Sequence, residues 1–188
     1  SDPLTVLSRP GIDRDTTRAH DAIAALQDDA TAALEDLRDL ARGIYPPLLA
    51  DQGLRAALEA QAQKATTPVH VDGASIGRYP RDIESTVYFC ALEAMNNIAK
   101  YAEATTASVR LEQTDGILRF TVRDDGRGFD PRAALGGTGL QGMTDRLEAV
   151  GGSLLVESAI GSGTTVIGTV PIEAGQAEAA SQADSSRS

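Results

Sequence analysis

The chain is 188 residues long, room for one full domain with a smaller segment attached, and its 17 basic against 27 acidic side chains leave a formal charge of −10. That balance repels a phosphate backbone or an anionic membrane surface, and with no Trp, three Phe and four Tyr there are few platforms on which unpaired bases could stack, so neither nucleic-acid binding nor membrane contact is expected. One cysteine, Cys90, and two histidines leave no internal disulfide and too few ligands for a Cys/His zinc site. No apolar run approaches the roughly 18 residues of a membrane span. The opening Ser1-Asp2-Pro3, without initiator Met or leader, reads as the start of an excised piece.

In chain order, Ile23, Leu26, Ala30, Ala33, Leu37, Leu40 and Ile44 recur at alternating steps of three and four, the seam of a coiled coil or helical bundle. The spacing predicts a helix over about 16–45, stopped by Pro46-Pro47. Leu54 to Ala65 reads as a second helix and Val69-His70-Val71 as a short strand. Pro80-Arg81-Asp82 opens a long helix running to about Glu103, with Ile83, Val87, Cys90, Ala94 and Ile98 on its apolar side. Ala107–Leu111 and Ile117–Val122 have strand character and are joined through Thr114-Asp115-Gly116, a hairpin signal. A glycine-rich stretch from Gly126 to Gly139 precedes a helix over Leu140–Val150, ended by Gly151-Gly152. Strands at Ser153–Glu157 and Thr164–Val170, turned by Gly161-Ser162-Gly163, close the folded part. Residues 173–188 carry no large apolar side chain and are expected to be disordered. Helices, a hairpin, a helix and another hairpin predict a two-layer α+β sandwich with a largely antiparallel sheet.

Chemistry gathers in three stretches. On the long helix, Glu93, Asn97, Lys100 and Tyr101 follow steps of four, three and one and so share a face. A carboxylate, an amide and an ammonium pointing one way suit a phosphate-and-magnesium site, although the same letters also describe a solvated helix face. Asp124-Asp125-Gly126-Arg127-Gly128-Phe129-Asp130 follows an apolar strand; an acid there can accept from a base amino group, and glycines at alternate positions let a planar ligand approach the backbone. An ordinary Asp-Gly turn is the plain alternative, and a calcium loop is disfavoured because the twelfth position from Asp124 is Leu135. Gly136 to Met143 contains Gly137-x-Gly139-x-x-Gly142, the dinucleotide fingerprint. The fingerprint belongs in a tight turn directly after a strand, whereas here more than ten residues separate it from Val122, which argues against a Rossmann unit. Glycine-exposed N–H groups at a helix start bind phosphate in either setting.

Taken together, the order and spacing of these stretches resemble the catalytic and ATP-binding domain of sensor histidine kinases, within the Bergerat-fold ATPases that include gyrase and the heat-shock chaperones. Glu93 to Tyr101 resembles the N box, Asp124 to Phe129 the first glycine box, Gly137 to Met143 the second, and Gly161-Ser162-Gly163-Thr164 the terminal Gly-x-Gly-Thr element. Leu40 to Leu49, with Pro46-Pro47 and the following Gly53-Leu54, is similar to the joint between dimerisation helix and catalytic domain in the subfamily that signals to helix-turn-helix response regulators. The implied organisation is a partial dimerisation and phosphoacceptor region at 1–47, a catalytic and ATP-binding domain at 48–172 and a tail at 173–188.

The resemblance implies ATP and Mg²⁺ as cofactors. By position, Asn97 would coordinate the magnesium, Glu93 would orient or deprotonate at the transfer centre, and Lys100 and Tyr101 would lie toward the phosphates. Tyr101 stands where the family more often has histidine. Asp124 would read the adenine amino group with support from Thr164, and Gly126, Gly128, Gly137, Thr138, Gly139, Leu140 and Gly142 would frame the nucleotide, with residues about 130–138 as a lid. Asp125 replaces a common asparagine, adding charge near the nucleotide. The implied setting is a cytoplasmic domain of a two-component system, homodimeric through its bundle helices in the intact protein, whose partner is a response regulator. His20 lies 26 residues before Pro46, too close to leave room for a second helix, and is expected to be an ordinary position and not the phosphoacceptor. An anti-sigma-type serine kinase and a nucleotide-sensing dimerisation module without catalysis remain as alternatives.

Overall fold

The computed structural model describes residues 45–73, 76–130 and 138–172. The helix expected at 16–45, His20, the tail at 173–188, Gly137 and most of the expected lid lie outside these residues. Helix α1 (Pro47–Ala62) is followed by strand β1 (Val69–Asp72) and the long helix α2 (Arg81–Asn97), which continues into a π turn at Ile98–Ala102. Strands β2 (Ala107–Thr114) and β3 (Ile117–Asp124), helix α3 (Thr138–Glu148) and strands β4 (Ser153–Ser158) and β5 (Thr164–Pro171) complete the order. The sheet runs β1-β2-β3-β5-β4. Among the described residues only the β1–β2 pair is parallel, so the sheet is mixed and largely antiparallel, as expected.

Period-two patterning places the core. Along β3, Leu118, Phe120, Val122 and Asp124 are buried while Ile117, Arg119 and Arg123 are exposed, and β2 alternates in the same way through Ala107, Val109 and Leu111. The buried faces meet Leu49, Leu54 and Leu58 of α1, Val87, Cys90, Ala91 and Ala94 of α2, and Met143 and Leu147 of α3, which makes two layers around one core. Phe120 stands opposite Gly168 on β5, and a Cβ at Gly168 would lie 2.0 Å from the ring, so this fully buried ring fits only because its cross-strand partner has no side chain. The β2–β3 hairpin turns on Asp115 (φ 52°) and Gly116 (φ 74°), both left-handed as a two-residue hairpin requires.

Several boundaries differ from the expectation. The helix expected at Leu54 begins seven residues earlier, at Pro47, and is interrupted at Gly53 (φ 79°). That break opens the carbonyls of Leu49 and Ala50, and the Arg78 guanidinium donates to both, at 3.3 and 2.8 Å. The long helix stops being α-helical at Asn97; the π turn ends on Glu103 in left-handed backbone (φ 52°). Antiparallel neighbours on both sides of β3 exclude the Rossmann arrangement.

A charged group sits inside this core. Glu84, in the first turn of α2, is fully buried and accepts from Arg78 Nε at 2.9 Å, from the Tyr79 backbone N–H at 3.1 Å and from the Tyr45 hydroxyl. Arg81 lies over the Tyr45 ring, 4.5 Å from its centroid. Burial and the neighbouring carboxylate both push the Tyr45 hydroxyl well above its ordinary range, so it stays a donor.

Candidate active site

Four segments converge at one end of the layers. Helix α2 carries Glu93 and Asn97, four residues apart and half-buried on one face. The start of α3 comes directly against them: a Cβ at Gly139 would lie 2.6 Å from Glu93 Oε1 and 3.6 Å from Asn97 Nδ2. A side chain at this position would push the Glu93 carboxylate aside. The first N–H groups of α3 have no partners within the helix, so a carboxylate, an amide and an anion-attracting helix end border one gap.

Asp124 ends β3 with 5% exposure, its Oδ1 accepting the Gly126 N–H at 2.8 Å. The β3–β5 register pairs Val122 with Val166 and Arg123 with Thr165. Continuing it by one position sets Asp124 opposite Thr164, and the alternation puts both on the helix-facing side of the sheet. Gly163 completes the approach, since a Cβ there would lie 2.2 Å from the Asp124 carbonyl oxygen.

The loop after β3 is tied to the end of the long helix. Arg127 N–H donates to the Ala102 carbonyl at 2.8 Å, Arg127 pairs with Glu103 at 3.2 Å, and a Cβ at Gly126 would lie 2.2 Å from the Ala102 oxygen. At Gly128 (φ 59°) a Cβ would meet the Ala159 oxygen at 2.1 Å. The protein's own backbone therefore occupies the Cβ side of both glycines, and loop packing is what they provide there. Ala102 lies just beyond Asn97 and Gly126 two residues beyond Asp124, so this junction brings the ends of α2 and β3 together.

Of the other expected residues, Lys100 and Tyr101 are exposed on the π turn, Tyr101 by 46%. A π turn rotates each residue by less than an α turn, so Lys100 no longer continues the line from Glu93 through Asn97. Leu140 is half-buried against the core, Gly142 has open space beside it, and Thr138 opens α3. The Asp125 carboxylate accepts from the Thr105 and Thr106 backbone N–H groups at 2.8 and 3.0 Å and from the Thr105 hydroxyl, and these bonds hold it below the usual carboxylate range. Its charge is committed to the segment after the π turn, a use that the sequence reading did not foresee. His70 lies exposed on β1. Ser158, also missed, sits among Phe129, Gly163 and Thr164. A lone serine at a strand end carries no signal of that role.

A hard cation beside a triphosphate needs few protein oxygens, and the Asn97 amide at the start of α3 supplies one. Among the described residues no group of three or more His, Cys, Asp or Glu side chains could hold a metal. A magnesium ion here would thus be held by Asn97 together with phosphate oxygens and water. Also among the described residues, no helix is long and apolar enough to cross a membrane.

Known proteins share this sequence pattern and fold. Residues 82–174 match the family of histidine kinase-, DNA gyrase B- and HSP90-like ATPases. The chain is 33% identical over 162 residues to the sensor histidine kinase MctS of Rhizobium johnstonii, covering 79% of this chain and 35% of that protein. It is 34% identical over 148 residues to the oxygen sensor histidine kinase NreB of Staphylococcus carnosus, covering 74% and 42%. It therefore spans less than half the length of either relative. The blue-light activated histidine kinase EL346 of Erythrobacter litoralis shares the fold, with a TM-score of 0.56 at 23% identity over 63% of this chain and 42% of that one. Residues 82–174 are thus an ATPase domain of the histidine kinase-, DNA gyrase B- and HSP90-like family, in a chain similar to sensor histidine kinases.

Proposed function

We propose that the chain is the ATP-binding catalytic part of a two-component sensor histidine kinase, which transfers the γ-phosphoryl group of ATP to a histidine and thence to an aspartate of a response regulator with helix-turn-helix output. The observation that carries this reading is the packing of Gly139 on Glu93 and Asn97, which gathers a carboxylate, a side-chain amide and a helix N-terminus at one point. At the other end of the site, Asp124 and Thr164 offer oxygens to a base edge.

In this reading the α3 N–H groups hold phosphate oxygens, and Asp124 with Thr164 fixes the base. Magnesium, bound with Asn97, supplies charge neutralisation on the phosphates. A histidine ring nitrogen attacks the γ-phosphorus, the bond to the β–γ bridging oxygen breaks, and ADP leaves. Glu93 orients the ring and takes its proton. Positioning and electrostatics supply most of the acceleration. The acceptor histidine comes from a dimerisation helix other than the one expected at 16–45, and residues 1–47, 48–172 and 173–188 form the three parts of the chain. Homodimerisation runs through the bundle helices.

Calorimetric titration with a non-hydrolysable ATP analogue, with and without Mg²⁺, tests the site on wild type and on Asn97→Ala. The variant is expected to lose the magnesium dependence. Unchanged, magnesium-dependent affinity would remove Asn97 from the site. Mixing the chain with ATP and a helix bearing the acceptor histidine is expected to yield acid-labile phosphate on that helix.

A further inference from the structure

We propose that Ser158 is a positioning residue that fixes the Thr164 hydroxyl as an acceptor and thereby sets the preference for a purine carrying an amino group at its six position. The proposal rests on the nucleotide reading of the site and adds to it the direction of one hydrogen bond.

Ser158 ends β4, half-buried, and its Oγ meets three groups: the Phe129 backbone N at 2.9 Å, the Gly163 carbonyl oxygen at 3.0 Å and the Thr164 Oγ1 at 3.0 Å. The contact with Thr164 would by itself allow either hydroxyl to donate. The other two contacts decide it. A backbone N–H can only donate, so Phe129 uses one lone pair of Ser158. A carbonyl oxygen can only accept, so Gly163 takes the single Ser158 hydrogen. The remaining capacity of Ser158 is one lone pair, and the third contact closes only if Thr164 donates into it. The Thr164 hydrogen is thereby used within the protein, and the hydroxyl presents lone pairs alone to anything else.

Thr164 stands opposite Asp124 by continuation of the β3–β5 register, and Asp124 has Oδ1 engaged by the Gly126 N–H. Two neighbouring side chains on the same side of the sheet therefore offer acceptors and no hydrogen. An amino group, which brings two hydrogens, pairs with such an edge. A keto oxygen set against it meets lone pairs and stays unpaired, which sites of this kind reject strongly. Without Ser158, the Thr164 hydroxyl would be free to rotate and donate, and the edge would accept a keto base.

The experiment titrates the full chain with ATP and with inosine triphosphate, which carries a keto oxygen in place of the amino group, for wild type, Ser158→Ala and Ser158→Thr. Wild type is expected to favour ATP. In Ser158→Ala the ratio of the two affinities is expected to fall by about tenfold, mainly through tighter inosine triphosphate binding, on the scale of one hydrogen bond. Ser158→Thr, which keeps the hydroxyl, restores it. If the alanine variant does not fold, as melting will reveal, Ser158→Cys, whose thiol bonds weakly, carries the same expected shift. Equal loss for both nucleotides, or an unchanged ratio, would mean that Ser158 only braces the loop and overturns the proposal while leaving the nucleotide site standing. Wild type that binds neither nucleotide overturns the nucleotide reading itself and this proposal with it.

Discussion

Gly139 at the start of α3 lies so close to Glu93 of α2 that a methyl group on it would stand 2.6 Å from Glu93 Oε1. The obstructing atom is the tip of a flexible side chain, so Gly139→Ala is expected to fold but to displace the carboxylate. Nucleotide affinity should change by a few-fold only, whereas phosphoryl transfer to an added histidine helix should fall on the order of a hundredfold, the usual worth of a positioned acid–base group. Paired titration and transfer assays check this, and a parallel fall in both would mean that the contact matters for binding alone.

Asp125 gives a pH dependence of known sign. Its hydrogen bonds from Thr105 and Thr106 hold the folded carboxyl below its ordinary value, which is about 3.9 in an unfolded chain. The stabilisation is present above that value and is lost as pH falls through the folded one. Asp125→Asn keeps an acceptor and removes the charge, so its melting temperature should lie below that of wild type by a constant margin from pH 7 to about 5 and converge with it below about 4. Melting curves across that range provide the check.

Cys90 should be chemically silent. It is fully buried, and burial pushes its thiol up to about 12, with Glu93 adding to the rise and Arg146 opposing it. The thiolate is the reactive form. Iodoacetamide at pH 8 is expected to leave the native chain unmodified and to label it once in denaturant; mass spectrometry distinguishes the two.

Removing Glu84 should cost more than any surface change. Glu84→Ala deprives Arg78, the Tyr79 N–H and the Tyr45 hydroxyl of their acceptor at once, and a broken buried pair costs about 3–5 kcal/mol. Arg78 can recover some solvent, since its side chain is 31% exposed, which favours the lower end of that range. Glu84→Gln, which keeps the shape and some of the polar atoms, should cost about 1–3 kcal/mol. Urea denaturation measures both.

What could be read from the chain before folding follows the range of the forces involved. The Asp115-Gly116 turn was legible because two successive left-handed residues leave few alternatives, and the paired hairpins and helices followed from local periodicity. The π turn at Ile98–Ala102 was not, since those residues include neither Pro nor Gly and are compatible with continued α-helix. Glu84 carried a faint signal as an acid within the apolar pattern of a helix, but its acceptor role depends on Tyr45, thirty-nine positions away. At the site, residue types marked Glu93, Asn97 and Asp124. The partnership of Asp124 with Thr164 was implied by the motif order, whereas the turning of Asp125 toward Thr105 and the three contacts of Ser158 arise only once β3, β4 and β5 are in register.

The Tyr45 hydroxyl bonded to Glu84 has a mechanical meaning. Glu84, Glu93 and Asn97 belong to one continuous rod, and Tyr45 grips that rod near its first turn. The hydroxyl thereby fastens the entry of α1 to the start of the helix that also carries Glu93 and Asn97, so the two helices share one anchor.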